Sequence, residues 1–160
     1  MNALAIQEKI RTLALNHRIG SLYVFGSRTA EIAALVRGGA IKPEFPHSDI
    51  DIGVYPKKGK RLSGQDRVEI ALELEDIFSA DRVDVVILPE AETFLALDVV
   101  RGELIYCDDP YEEAEYQLYI LRKAADLAPF ARERWATILK GSAGTRSAGR
   151  SPVEPLQNSG

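Results

Sequence analysis

Residues 47–54 read His-Ser-Asp-Ile-Asp-Ile-Gly-Val, an apolar run interrupted by two carboxylates one residue apart. Strand side chains alternate between faces, so Ile50, Ile52 and Val54 share one face while Asp49 and Asp51 share the other. Neither aspartate has a cation close by in sequence. Two like charges held together raise each other's energy unless something positive stands between them. Magnesium meets that need, because it takes hard oxygen ligands, commonly one or two carboxylates plus substrate phosphates. The competing reading is an edge strand with both aspartates in solvent.

Two further stretches bear on the same chemistry. Phe25-Gly26-Ser27-Arg28 falls at a strand-to-helix turn. Glycine there lets a ligand approach the backbone, and the free amides of the helix start with the Ser27 hydroxyl can hold phosphate oxygens. Arg28 follows and can assist; a simple cap at Ser27 is the plainer alternative. In Arg82-Val-Asp-Val-Val-Ile-Leu88, Val83, Val85 and Ile87 share a face, leaving Asp84 on the other. Asp84 joins the pair only if its strand lies beside residues 49–55; otherwise it is a partner for Arg82 or a lysine. A phosphate-holding turn with two or three carboxylates suits nucleotidyl transfer through a two-metal, in-line displacement. Asp84 would then bind one metal and accept the proton of the attacking hydroxyl.

The elements around these residues follow from periodicity. Ala3, Ile6, Ile10, Leu13 and Ala14 make a helical stripe over 2–17, and 21–25 read as a strand ending at Gly26. A helix over 28–37 stops at Gly38-Gly39, and 40–47, with two prolines, read as loop. Ser63 and Asp66 have capping-box spacing, opening a helix with Ile70, Ala71, Leu74, Ile77 and Phe78 on one face. Strands over 82–88 and 103–107 flank a helix that stops at Gly102. A long helix covers 110–139, with Ala114, Leu118, Leu121 and Ala125 as its expected buried stripe and Pro129 as a point of kinking. This order predicts an α/β (α+β) domain with one sheet over residues 1–140. Ten of the last twenty residues are Gly, Ser or Pro, so 141–160 read as a disordered tail.

The 160 residues are 46% hydrophobic and 28% charged, with a net charge of −4 and a pI near 5.3. An acidic balance argues against a broad electrostatic grip on nucleic acid, though not against a small phosphate pocket. A single cysteine, Cys107, excludes an internal disulfide and reads as packing. Glu8, Lys9 and Arg11 break the N-terminal apolar pattern, so no secretory signal is expected, no run is long enough for a bilayer, and the cytoplasm is the simplest location. His47 reads as an exposed loop residue, and Lys57, Lys58, Lys60 and Arg61 as a solvated basic turn.

Gly26-Ser27, the Asp49-x-Asp51 pair and the later Asp84 together resemble the minimal nucleotidyltransferases (MNT-type) of the polymerase-beta-like superfamily, over roughly residues 20–105. The resemblance implies that fold, a small mixed sheet flanked by helices, with Gly26, Ser27 and Arg28 at the nucleotide and Asp49, Asp51 and Asp84 holding Mg2+, two ions in all. It further implies ATP as donor and AMP transfer to a tyrosine of a HEPN-type toxin partner, as MntA-like antitoxins do. Related proteins modify small molecules such as aminoglycosides but carry a further substrate domain, for which little chain remains here. The long C-terminal helix would help dock the partner or a second copy of the chain, and a non-catalytic binding module is the remaining alternative. One departure stands out. Residues 28–48 separate Ser27 from Asp49, a spacer about twice the family's usual length.

Overall fold

The first helix, α1 (Ala3–His17), starts where Asn2 accepts the Ala5 amide and stops at Arg18, which adopts a left-handed conformation. A computed structural model describes the backbone over residues 2–149 and the side chains over 2–137. The next elements are β1 (Ile19–Phe25), a 3-10 turn at Gly26–Arg28, and α2 (Thr29–Arg37), closed by Gly38 at φ 90°. Then come β2 (Ile50–Pro56), α3 (Gly64–Phe78), β3 (Val83–Ile87), α4 (Thr93–Val100), β4 (Glu103–Cys107) and α5 (Pro110–Gly149). The Ser63–Asp66 capping box is present at the start of α3, with both reciprocal bonds formed. Strand β1 begins two residues before the expected Ser21.

The four strands form one mixed sheet, as expected, in the order β3-β2-β1-β4. β1 runs antiparallel to both neighbours, whereas β2 and β3 are parallel, joined by the α3 crossover. Alternation sorts the side chains. Leu22, Val24, Ile50, Ile52, Val54, Val83 and Ile87 pack against α1, α2 and α3. Tyr23 packs on the other face with Ala96, Val99 and Val100 of α4 and with Tyr116 and Ile120 of α5. A Cβ at Gly53 would overlap Val99, so a glycine on β2 lets α4 lie directly on the sheet.

The chain forms two units, Met1–Leu121 and Arg122–Gly160. In the first, the buried face of α5 is Glu113, Tyr116 and Ile120, while Leu118 is 53% and Leu121 46% exposed. The expected stripe of Ala114, Leu118, Leu121 and Ala125 is therefore corrected, since all four are exposed. The reason lies in specific contacts. Tyr116 stacks on Tyr55 with ring centroids 4.3 Å apart, and the buried Tyr23 hydroxyl donates to Glu113. The described part of the second unit is the rest of α5, which passes through Pro129 and continues to Gly149. No proline lies between 130 and 149 to stop it sterically, so the first nine residues assigned to a tail are helical. Residues 150–160 of that assignment lie outside the described residues. Among the described residues, no helix is long and apolar enough to cross a membrane.

Candidate active site

The site is built at the end of β1 where the chain turns into α2. Gly26 takes φ +82°, and a Cβ there would fall on the Asp51 carboxylate. The left-handed backbone favours glycine, and any side chain there would displace the Asp51 carboxylate. Thr29 Oγ1 donates to the Gly26 carbonyl and fixes the turn, and Ser27 Oγ lies 3.0 Å from Ser48 Oγ. The Gly-Ser turn thus touches the residue that precedes Asp49.

Strand pairing places the acids. Asp51 pairs across the sheet with Phe25 of β1 on one side and with Asp84 of β3 on the other. The condition set for Asp84 is met: its strand lies beside β2, and the two aspartates are register partners. Asp49 sits one residue before β2, where the Ile50 amide donates to the Arg82 carbonyl at 3.1 Å. Partial burial, then the charges of Asp84 and Asp49, push the Asp51 carboxyl above its ordinary pKa. A cleft of about 540 Å³ opens beside Asp51 and Asp84, lined also by Phe25, Val86 and Leu95.

Two basic residues organise these groups. Arg28 is only 9% exposed, and its guanidinium donates to both Glu31 oxygens, at 2.9 and 2.7 Å, and to the Ser48 carbonyl at 3.1 Å. Arg82 is the cation that the local sequence around Asp49 lacks. Its Nη2 lies 3.1 Å from Asp84 Oδ1 and its Nε 3.6 Å from Asp49 Oδ2. Pairing with Asp84 is readable from their i, i+2 spacing, but the reach to Asp49 requires the parallel register of β2 and β3. Ser48 likewise became visible only in the fold. His47 is exposed, and the basic turn sits at the far end of β2, where Lys57 and Lys58 face Asp108 and Glu112.

Asp51 and its register partner Asp84, with Asp49 at the strand start, offer only hard oxygen donors and carry more negative charge than Arg82 balances, the donor chemistry that suits Mg2+. A mixed sheet with a strand-turn-helix phosphate cradle and an acidic cluster on adjacent strands defines the nucleotidyltransferase class. The family model described as polymerase beta, nucleotidyltransferase matches residues 8–111. The chain belongs to this family and is a nucleotidyltransferase.

Solved structures agree on the fold. A mutant of the toxin-antitoxin complex MntA-HepT matches with a TM-score of 0.65 at 20% identity, over 83% of this chain and 98% of that one. A toxin-antitoxin structure with AMP-PNP matches at 0.64 and 21%, over 83% and 98%. A tri-AMPylated Shewanella oneidensis HEPN toxin in complex with MNT antitoxin matches at 0.57 and 22%, over 88% and 98%. No curated protein matches the chain.

Proposed function

We propose that the protein is a Mg2+-dependent adenylyltransferase of the cytoplasm that moves AMP from ATP to a tyrosine hydroxyl of a HEPN-type toxin and so acts as its antitoxin. The observation that carries the chemistry is the register pairing of Asp51 with Asp84 beside Gly26. The partner is inferred from the similar structures, among them the AMPylated HEPN toxin with its MNT antitoxin.

In this reading Gly26 and Ser27 bind phosphate oxygens of ATP at the turn, and Arg28 keeps Ser48 and Asp49 against that turn. Asp49, Asp51 and Asp84 would hold the metal. When bound, Mg2+ favours ionisation of the attacking hydroxyl and neutralises charge on the transferring phosphate and the departing pyrophosphate. The tyrosine oxygen bonds the α-phosphorus as the bond from that phosphorus to the bridging oxygen breaks, releasing pyrophosphate, and Asp84 accepts the hydroxyl proton.

The test is incubation with Mg2+ and labelled ATP, GTP, CTP or UTP, with and without the co-purifying partner. Label from ATP on a partner tyrosine, lost in Asp49→Asn, is the expected result. Label on a small molecule alone would move the acceptor to that class. No label anywhere, with toxin control intact in Asp51→Asn, would leave a non-catalytic binding module and refute the enzyme reading.

A further inference from the structure

Helices α1 and α3 meet on the sheet face opposite Asp51, and His17, the last residue of α1, is held between acidic groups of α3. Its side chain is 9% exposed. Glu73 Oε2 lies 2.8 Å from His17 Nε2. An ionised carboxylate only accepts hydrogen bonds, so a ring proton sits on Nε2. His17 Nδ1 faces Asp66 Oδ1 at 3.6 Å, beyond hydrogen-bond length. The other oxygen of Asp66 is taken by the Ser63 amide and hydroxyl, which leaves Oδ1 available. One ligand atom from each of His17, Asp66 and Glu69 lies within 4.8 Å of the other two.

A nearly buried imidazole with one nitrogen tied to an outer carboxylate and the other facing Asp66, with Glu69 close to both, is the arrangement by which proteins prepare a histidine for a metal. We propose that His17, Asp66 and Glu69 form a second metal site, one that clips α1 to α3, with Glu73 fixing the histidine tautomer. The donor set names the ion class. A nitrogen with two carboxylates suits Zn2+ or a similar first-row divalent ion, whereas Mg2+ prefers oxygen throughout. The C-terminal end of α1, where the helix dipole is negative, favours a cation at the same spot. Asp66 and Glu69 stand three residues apart on α3, so one helix turn presents both toward His17.

The test is calorimetric titration of Zn2+ into the full chain with excess Mg2+ present to occupy the aspartate cluster. One equivalent of Zn2+ should still bind. His17→Gln and Glu69→Gln should each weaken it at least about tenfold, Glu73→Gln should weaken it by roughly 10–100-fold, and Asp49→Asn should leave it unchanged. Glu69→Gln keeps the His17–Glu73 bond and covers the case in which His17→Gln does not fold. The chain has two histidines and His47 is exposed, so ring nitrogen NMR assigns the ligand directly. Zn2+ should move the Nδ1 signal of His17 and not that of His47. Equal affinity in wild type and both variants overturns the proposal. So does a His17 ring that is doubly protonated at neutral pH and unmoved by Zn2+, since a proton would then hold the cluster together.

Discussion

Arg28→Ala asks whether the arginine after the Gly-Ser turn serves ATP directly or serves the aspartates. The Arg28 side chain is 10% exposed and that of its partner Glu31 19%. Deleting one member of a fully buried ion pair costs about 3–5 kcal/mol, because the other charge is left uncompensated. Water reaching Glu31 recovers part of that, and the orphaned Ser48 carbonyl adds about 1 kcal/mol. The expected loss on urea denaturation is therefore about 3 kcal/mol. Ser48 directly precedes Asp49, so the same substitution frees the far end of the 28–48 stretch. A misplacement near 1 Å can lower the rate about 10²-fold, so kcat for pyrophosphate release should fall by about 10–100-fold with a smaller change in KM for ATP. Arg28→Lys keeps the charge but not the planar fork and should fall between. Glu31→Gln in the Arg28→Ala background should return some of the lost stability, because no bare charge remains. A stability loss below about 1 kcal/mol together with a raised KM would refute this reasoning and assign Arg28 to the nucleotide itself.

Gly26→Ala should destabilise by about 1–2 kcal/mol from its left-handed backbone alone and abolish transfer by displacing Asp51; retained activity would show that the turn can relax. Asp51 has a folded pKa above its ordinary value, so the native state holds that proton more tightly and stability falls as pH rises from the ordinary value through the raised one. With a chelator present, Asp51→Asn should thus be more stable than wild type at neutral pH, and the difference should vanish below about pH 4. A variant no more stable than wild type at neutral pH contradicts this. Arg82→Gln removes two exposed ion pairs worth about 0.2–1 kcal/mol each, so Mn2+ should bind a few times more tightly in calorimetry. Weaker Mn2+ binding would mean that Arg82 assists the metal. Ser63→Ala should cost about 1 kcal/mol through loss of the α3 cap, read from the thermal midpoint.

Gly26, Ser27, Asp49 and Asp51 stood out as candidates in the sequence because each signal is local: a turn glycine, a hydroxyl, and two acids at strand spacing. The strands of one sheet were legible for the same reason, since Leu22, Val24, Ile50, Ile52 and Val54 alternate cleanly, whereas the mixed pairing was implied only by the family resemblance. Asp84 was legible as a candidate only. Its place beside Asp51 depends on which strand neighbours β2, and pairing is a non-local property. The phase of α5 misled because Leu118 and Leu121 are more apolar than Glu113 and Tyr116, two of the three residues on its buried face. That face is chosen by an aromatic stack onto Tyr55 and by a buried Tyr23–Glu113 bond, and a hydrophobic stripe cannot register a buried glutamate. Arg28 shows a related limit. A charged residue after a phosphate-binding turn suggests a ligand contact, yet here its donors are engaged by Glu31 and by a carbonyl twenty residues away.

The long 28–48 stretch and the crowded carboxylates are answered by the same economy of charge. Extending a surface connection adds little closure entropy, about 0.6 kcal/mol per doubling, so the insertion need only be fastened at its end. Arg28 supplies that fastening through Ser48, and Arg82 holds Asp49 toward Asp84 from the other side. Asp51 is left as the acid that neither arginine contacts. Its raised pKa follows from its partial burial first, and then from the charges of Asp84 across the strand pair and Asp49 at the strand start. In the proposed reading a divalent ion would relieve all three acids at once, which neither arginine can do. On the proposed function the site would be most complete when metal and nucleotide arrive together, the acid pair that opens β2 being half of a site whose other half the substrate carries in.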